Sequence, residues 1–339
     1  MEQWKLPMIE LHLHLDGAIP PETMWALAQE KKIPMPAETL EGFRHWLVET
    51  SDCADVNTYL ARFELPLQLM QDEKSIARVT KDLMTELSRQ GHIYDEIRFA
   101  PQLHRREGLT QRQAIEAVLE GRRQALAEDP GYDAGILLCA MCIGPETVNM
   151  AENLETVRLA KEFLGRGVVG ADLAGAEGIV PLQSFHPVFD LARELGVPAT
   201  CHAGDSQGPD TVRDALSFGV RRIGHGHHIY DEPSLWEPAI ARGVTLEICP
   251  TSNIQCHTQP SYREHPAKKL LDAGLRLCIS TDNMTLAAVN LEDEYRHCVQ
   301  DMGFTREDLG KMLVFAAEAA FLPEEKKQKL VARVREALS

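Results

Sequence analysis

The chain has 339 residues, of which 51 are acidic and 35 basic, and its formal net charge at pH 7 is −16. This acidic balance argues against binding to nucleic acids or anionic membrane surfaces, because both attract clusters of lysine and arginine. With 44% hydrophobic and 25% charged residues, the composition is that of an ordinary globular protein and excludes a disordered or fibrous chain. A small-molecule ligand is compatible with these numbers.

The compartment is predicted from the N-terminus and the cysteines. Residues 1–10 include Glu2, Lys5 and Glu10, so they contain no apolar core for a signal peptide. No stretch reaches the roughly 18 consecutive apolar residues that a transmembrane helix needs. We therefore expect a cytoplasmic protein. The eight cysteines are expected to be reduced and structural, since Cys139 and Cys142 form a single CxxC pair without a second one nearby.

Short apolar runs alternate with longer amphipathic segments along most of the chain. Several runs are almost continuously apolar, as in parallel strands that are covered on both faces. The runs predict strands over 8–13, 94–100, 135–141, 168–173, 198–203, 222–225, 245–249 and 275–281. Helices are predicted between them over 76–89, 112–127, 151–165, 187–195, 210–218, 234–242 and 265–273. This alternation predicts an α/β protein built as a single (β/α)8 barrel of the TIM type.

The segment 18–93 is too long to be a simple connection between the first two strands. It predicts helices over 21–31, 40–47 and 56–70, and we expect it to form a helical lid over the carboxyl-terminal mouth of the barrel. Three further helices are predicted over 291–302, 306–320 and 324–338. No repeat or flexible linker divides the sequence, so residues 1–339 are predicted to form one domain. The sequence leaves its oligomeric state open.

Four histidines and one aspartate stand where predicted strands end. His12 and His14 lie two residues apart near the end of the first strand, so their side chains share one face. His202 ends the fifth strand, His225 ends the sixth, and Asp282 follows the eighth. Barrel enzymes build their active sites at this end, and three imidazoles with a carboxylate suit Zn²⁺, which activates water for hydrolysis. The other histidines are interpreted as solvated, structural or loop residues: His45, His92, His104, His186, His227, His228, His257, His265 and His297.

Seven short motifs together resemble those of the adenosine deaminase family of amidohydrolase barrels. They follow the family's order from residue 10 to residue 283, so the resemblance covers most of the chain. The motifs are ELHLHLDGA from residue 10, EIRFAP from 96, DLAG from 172, HAGD from 202, RIGHG from 222, CPTSN from 249 and STDN from 280. The set is specific as a whole, although no single motif would be.

The resemblance implies a metal-dependent purine deaminase with one Zn²⁺ per chain. The metal would be held by His12, His14, His202 and Asp282. Asp282 would also hold the attacking water, and His225 would orient that water and help to deprotonate it. Adenosine or 2′-deoxyadenosine would lose its 6-amino group as ammonia and give inosine or 2′-deoxyinosine, a reaction of purine salvage. The fourth strand carries no lysine that could bridge two metals, which favours a single ion.

The resemblance also implies the contacts of a purine nucleoside. Asp205 would donate a proton to purine N1, and the backbone of Gly175 would meet N3. Asn283 would bind N7, Asp16 would bind the ribose 5′-hydroxyl, and His14 would face the substrate as well as the metal. An apolar helix would close over the nucleoside with Tyr59, Leu60 and Phe63.

Two departures from the family pattern leave alternatives open. The family has Glu where this chain has Asp205, a side chain that is shorter by one methylene, and a displacement of about 1 Å can cost a catalytic group ~100-fold. Asn283 stands where Asp is common, but its amide can donate to N7 without being protonated. The alternatives are a deaminase of adenine or another 6-aminopurine derivative, and a barrel that binds nucleosides without catalysis. The zinc cytidine deaminase architecture is excluded because its H-x-E and P-C-x-x-C signatures are absent.

Overall fold

The computed structural model describes residues 6–53, 55–144 and 147–339. Parallel pairing links consecutive strands in two sets of four. The strands are β1 (Met8–His14), β2 (His92–Phe99), β3 (Asp133–Cys142), β4 (Val168–Gly175), β5 (Thr200–Ala203), β6 (Arg222–His225), β7 (Thr245–Ile248) and β8 (Arg276–Ile279).

The two four-stranded sheets meet at both seams and close into a barrel. At one seam Ala171 of β4 bridges Ala199, which precedes β5, and its amide donates to the carbonyl of Pro198 at 2.9 Å. At the other seam Leu13 of β1 bridges Asp282, which follows β8. The amide of His14 donates to the carbonyl of Asp282 at 2.7 Å. The predicted α/β barrel is therefore confirmed.

The segment between β1 and β2 contains several helices, as predicted, but one of them was predicted wrongly. The structure has α1 (Pro21–Lys31), α2 (Leu40–Glu49), α3 (Val56–Ala61) and α4 (Glu64–Leu69), where the sequence predicted one helix over 56–70. Pro66 explains the break, because proline has no N–H for the carbonyl of Arg62 and its ring collides with that carbonyl in a continuous helix. The new helix begins at Glu64, which places Pro66 in its first turn.

The remaining helices surround the barrel or precede the next strand. The helix from residue 73 is capped by Asp72, whose carboxylate accepts from the amide of Ser75 at 2.9 Å. It buries Ile76, Val79 and Leu83 on one face. These helices are α5 (Glu73–Gln90), α6 (Gln111–Glu128), α7 (Met150–Phe163), α8 (His186–Leu195), α9 (Pro209–Phe218), α10 (Trp236–Ala241), α11 (Pro250–Gln255), α12 (Ala267–Asp272), α13 (Leu291–Gln300), α14 (Arg306–Ala319) and α15 (Glu324–Leu338). Short 3-10 helices cover Pro101–His104, Leu182–Phe185, His227–Asp231, Pro233–Leu235 and Tyr262–Glu264.

The last strand is shorter than the sequence predicts. The prediction ran from 275 to 281, whereas β8 ends at Ile279. Beyond it the amide of Thr281 donates to the carboxylate of Glu10 at 2.5 Å, and Asp282 takes a left-handed backbone conformation with φ of 63°. The chain therefore leaves the ladder early and turns the Asp282 side chain towards the barrel axis.

The described residues agree with two further expectations. None of the described helices has the length and apolar character that crossing a bilayer requires. All eight cysteines are free and buried, as expected for structural thiols. The first five residues, which contributed to the expectation of no signal peptide, lie outside the described part of the chain.

Candidate active site

The four predicted metal ligands converge at the carboxyl-terminal mouth of the barrel. One ligand atom from each of His12, His14, His202 and Asp282 lies within 4.8 Å of the others. Nε2 of His14 is 3.2 Å from Nε2 of His202 and 3.3 Å from Oδ1 of Asp282, and Nε2 of His12 is 3.4 Å from the same oxygen. Separations of this size match a tetrahedron around a Zn²⁺ ion with ligands at about 2.0–2.1 Å.

The orientation of each ligand turns a lone pair into this centre. Nδ1 of His12 is 2.8 Å from Oε2 of Glu247, which leaves Nε2 of His12 buried and without a hydrogen-bond partner. Nδ1 of His202 lies 3.0 Å from Oδ2 of Asp172, so its Nε2 also faces the centre. Ser252 donates to Oδ2 of Asp282 at 2.7 Å and thereby directs Oδ1 inward. A buried imidazole nitrogen without a hydrogen-bond partner, surrounded by other electron-pair donors, is the arrangement expected of a cation-binding site.

Burial lowers the pKa of His12 to about 4 and holds the pKa of His14 well below its usual value. In both cases desolvation of the charged imidazolium is the main cause. These imidazoles are therefore neutral at physiological pH and can donate electron pairs to a metal. At His202 burial also lowers the pKa, but the charge of Asp172 outweighs it and raises that pKa above its usual value, so a metal would displace a proton there. The donor set fits a metal ion.

A second candidate group overlaps with the first. His12, His225 and Cys249 also bring ligand atoms within 4.8 Å of one another. The thiol of Cys249 donates to the carbonyl of Glu247 at 3.5 Å, and burial raises its pKa well above the usual value. Cys249 therefore stays protonated, and the set with Asp282 is the better metal centre.

Beneath the candidate metal centre, a buried network of ion pairs holds the two carboxylates that contact His12 and His202. Arg98 donates to Asp172 and to Glu247, both at 2.7 Å, and Arg222 donates to the other oxygen of Glu247 at 2.6 Å. Burial raises the pKa of Glu247, but the two guanidinium groups outweigh it and hold that pKa well below its usual range. The carboxylates that orient His12 and His202 are thus charged and locked in place.

His225 and Asp282 share an unusual backbone conformation. Their φ angles are 59° and 63°, in the left-handed region that costs a residue other than glycine about 1–3 kcal/mol. His225 closes β6 and packs its ring against His12, with ring centroids 4.9 Å apart. Strain of this kind is retained where neighbours over-determine the position, as at active sites.

Asp205 lies beside His225, and Asn253 contacts both. The amide nitrogen of Asn253 donates to Oδ1 of Asp205 at 2.7 Å and is 3.1 Å from Nδ1 of His225. Nδ1 of His225 is itself 3.5 Å from Oδ1 of Asp205. Thr258 adds a second donor to the same oxygen of Asp205 at 3.3 Å. The acid and the imidazole that the sequence predicted as catalytic are therefore neighbours.

His265 fixes which way the Asn253 amide faces. The backbone amide of Ala267 donates to Nδ1 of His265 at 3.2 Å, so the ring proton sits on Nε2. That Nε2 is 3.2 Å from Oδ1 of Asn253, which makes Oδ1 the acceptor and turns the amide nitrogen towards Asp205. His265 was predicted to be solvated or structural, and it is in fact a buried neighbour of the site.

The predicted substrate contacts lie around the same mouth. Buried polar atoms without hydrogen-bond partners include Oδ1 of Asp16, the hydroxyl of Tyr59 and Oδ1 of Asn283. Asn283 packs against Gly17, where a Cβ atom would meet Oδ1 of Asn283 at 1.9 Å. Gly175 has φ of 108°, and a Cβ there would meet the carbonyl of Cys142 at 2.4 Å, so only glycine fits. The cluster of unpaired polar groups suits a polar ligand.

A model of the family described as adenosine deaminase matches residues 7–337. The chain belongs to the adenosine deaminase family. An adenosine deaminase of Haemophilus ducreyi is 37% identical over 332 residues, which are 97% of this chain and 96% of the relative. The Arabidopsis N6-mAMP deaminase structure is 26% identical, with a TM-score of 0.83 and coverage of 98% of both chains. An adenine deaminase structure from Arthrobacter aurescens, 23% identical, has a TM-score of 0.87 and covers 98% of this chain and 99% of its own, which supports the fold.

The ligand atoms of this family member were predictable from sequence, but their supports were not. Strand ends and motif spacing indicated His12 and His202, whereas nothing indicated that Glu247 would orient His12. Asn253 lies inside the CPTSN motif, yet the motif alone does not reveal its contact with Asp205. Glu177 was missed entirely, although it stands two residues after Gly175. The only available signal was an acidic residue directly after a strand end.

Proposed function

We propose that the chain catalyses the hydrolytic deamination of adenosine and 2′-deoxyadenosine to inosine and 2′-deoxyinosine, as a step of purine salvage. The convergence of three imidazoles, one carboxylate and the Asp205–His225 pair at one barrel mouth carries this proposal. Membership of the adenosine deaminase family supports it. The substrate is a small nucleoside, so no nucleic-acid or membrane partner is needed.

The metal centre would consist of His12, His14, His202 and Asp282, with one Zn²⁺ per chain. Imidazole nitrogens and a single carboxylate are the donor types that Zn²⁺ prefers. When bound, the ion would supply Lewis-acid activation of water at neutral pH. Glu247 and Asp172 would keep His12 and His202 in the tautomers that donate through Nε2.

His225 and Asp205 would handle the two protons of the reaction. His225 would accept the proton of the attacking water at Nε2, with its own ring proton on Nδ1, which lies 3.5 Å from Oδ1 of Asp205. Attack at C6 pushes electron density towards N1, where Asp205 would donate a proton and so neutralise the developing charge. The protonated His225 would then pass its proton to the 6-amino group, which leaves as ammonia. The C6 hydroxyl would lose its proton as the C6 carbonyl forms, and return of that proton to Asp205 would restore the starting state.

The remaining contacts would select a nucleoside. Gly175 would approach N3 with its backbone, and Asn283 would donate to N7. Asp16 would accept from the ribose 5′-hydroxyl, for which its buried and unpaired Oδ1 is suited. Burial is the main cause that raises the pKa of Asp16 to about 6, and the nearby charge of Asp282 contributes to this rise. An ionised Asp16 would repel a 5′-phosphate, which favours adenosine over AMP-type substrates.

The helices of segment 18–93 would act as the lid over the nucleoside. Phe63, between α3 and α4, presents its ring to His14 at a centroid distance of 6.4 Å and to Tyr59 at 6.2 Å. Arg62 ties the same segment to the barrel, because it donates to the carbonyl of Leu286 at 2.6 Å. Opening of this segment would admit the substrate, and closure would exclude bulk water.

The test is the fall in ultraviolet absorbance as adenosine becomes inosine, with zinc-loaded protein and with the Asp205→Asn variant. The wild type should turn over, and Asp205→Asn should lose about 10²–10⁴-fold in kcat while it keeps its zinc. Adenine and AMP are assayed in parallel. Turnover of adenine without turnover of adenosine would show that adenine, not adenosine, is the substrate. Binding of adenosine without formation of any product would support a barrel that binds nucleosides without catalysis.

A further inference from the structure

Glu177 binds the loop that carries Asp205. Its Oε2 accepts from the backbone amides of Asp205, Ser206 and Gln207 at 3.0, 2.8 and 3.1 Å. Its Oε1 accepts from the amide of Gly204 at 2.6 Å and from the hydroxyl of Thr211, also at 2.6 Å. The hydroxyl of Ser206 also donates to Oε2, at 3.4 Å. Four consecutive backbone amides and two hydroxyls thus converge on a single carboxylate.

Consecutive amides that point to one side form a concave anion site, which in other proteins holds a phosphate or another external anion. Here the loop wraps around a carboxylate of the same chain instead. Gly204 begins the loop in the left-handed conformation, with φ of 66°, and this allows the amides of 204–207 to turn inward together. The position of the loop is consequently set by Glu177 rather than by the strand that precedes it.

We propose that Glu177 is a positioning residue that sets the distance from the Asp205 carboxyl group to the purine ring. The inference rests on the proposed function, in which Asp205 protonates N1. Because Asp205 is one methylene shorter than the Glu of the family pattern, its reach depends more strongly on where its backbone lies. Glu177 stands two residues after Gly175, so one short segment holds the N3 contact and the loop of the N1 acid in fixed relation.

The Asp205 side chain is held from the opposite side. Asn253 and Thr258 both donate to its Oδ1, whereas Glu177 holds its backbone amide. A carboxyl group fixed at both ends loses little conformational entropy on binding substrate, which is the condition for an effective proton donor. Removing the backbone support leaves the side-chain support intact, so the two can be tested separately.

The test is a double-mutant cycle on kcat for adenosine in the zinc-loaded protein, with Glu177→Gln and Asp205→Asn alone and together. Glu177→Gln replaces one acceptor oxygen by an NH₂ that faces amide donors, so it should lower kcat by about 10–100-fold with a KM change below about threefold. In the Asp205→Asn background no acid remains to be positioned, and the same substitution should cost less than about threefold. Zinc content should be unchanged in all four proteins.

Two further variants separate positioning from folding. Glu120→Gln removes a carboxylate that binds Arg123 and Gln124 on α6, and it should leave kcat unchanged. Thr211→Val removes one of the six donors to the Glu177 carboxylate and should give an intermediate loss of kcat if Glu177→Gln does not fold. Amide hydrogen exchange at 204–207 should accelerate in Glu177→Gln.

Each result has a definite consequence. An equal loss from Glu177→Gln in both backgrounds, or a loss confined to zinc content or KM, would overturn the positioning role while leaving the deaminase reaction standing. A wild type that does not deaminate adenosine would overturn the proposed function and, with it, the role given to Asp205. A loss of kcat that largely disappears in the Asp205→Asn background supports the proposal.

Discussion

The amide nitrogen of Asn253 donates to Oδ1 of Asp205 at 2.7 Å, and this contact links the proposed acid to α11, which follows β7. Thr258 donates to the same oxygen at 3.3 Å, so both of these donors occupy one side of the carboxyl group. An oxygen that accepts from two donors is a poor place for a proton. In the proposed reaction, Oδ2 is therefore the oxygen that would carry the proton to purine N1.

Replacement of Asn253 by alanine should disable the acid without disturbing the metal. We expect Asn253→Ala to lower kcat about 10–100-fold at unchanged zinc content, because Asp205 loses its shorter hydrogen bond and His225 loses a neighbour. Steady-state kinetics and metal analysis measure both quantities. Asn153→Ala is the matched control, since Asn153 is equally buried but binds the backbone of Met141. A similar loss of kcat in that control would attribute the effect to general destabilisation.

Glu247 has a different role, because it supports the metal centre and neutralises two buried arginines. In Glu247→Gln, Arg98 and Arg222 lose a charged partner in the barrel interior, and we expect the free energy of unfolding to fall by about 3–5 kcal/mol. Zinc affinity should fall about 10–100-fold, since His12 loses the carboxylate that orients it. Denaturant unfolding and competition with a zinc indicator provide the measurements. Glu64→Gln, which weakens the exposed contacts of Glu64 with Arg106 and Gln68, should change neither quantity appreciably.

The part of this site that sequence could predict has a common physical basis. A parallel strand has a fixed direction and ends at a fixed edge, so His12, His202 and His225 could be assigned to one mouth before any coordinates were known. Their supports come from positions that no periodicity links to them. Glu247 reaches His12 across 235 residues, and Glu177 binds backbone amides, which every sequence possesses and which no side-chain pattern reveals.

The strands and helices also divide into those that the sequence predicts correctly and those whose ends it does not. The alternation of apolar runs predicted the barrel because burial on both faces acts on whole strands. It failed at residues 56–70, where a single proline divides a helix, and at β8, where the carboxylate of Glu10 captures the amide of Thr281. The end of a helix or strand depends on the hydrogen bond of a single backbone group, and a hydrophobic pattern averaged over many residues does not predict that bond.

Glu294 makes stability depend on pH in a direction opposite to that of a salt-bridged carboxylate. Its pKa is raised to about 8, mainly by burial, and the charges of Glu10 and Asp293 contribute to this rise. The unfolded chain loses this proton above pH of about 4.5, whereas the folded chain keeps it until about 8, so the carboxyl group destabilises the fold increasingly as pH rises through this window. We expect Glu294→Gln to gain on the order of 2–4 kcal/mol relative to wild type between pH 5 and pH 8.

The measurement is urea unfolding of wild type and variant at several pH values in that range. Glu292→Gln is the control, because Glu292 is exposed on the same helix and its carboxyl group meets water in both states. It should follow the wild type at every pH. A Glu294→Gln variant whose stability difference from wild type stays constant with pH would show that Glu294 is already ionised in the folded protein at pH 5.

Removal of the metal should abolish deamination and lower the melting temperature together. The centre presents four acceptors within 4.8 Å, and without a cation their lone pairs face one another at 3.2–3.4 Å. Metal that binds only the folded state stabilises it by about 2.7 kcal/mol at a free concentration of 100 times Kd. Zinc added back should restore both properties at one ion per chain. The His14→Ala variant should lose the ion, whereas His186→Ala, a change at an exposed position, should keep it. Full activity in chelated protein that holds less than ~0.1 ion per chain would contradict the metal-dependent mechanism.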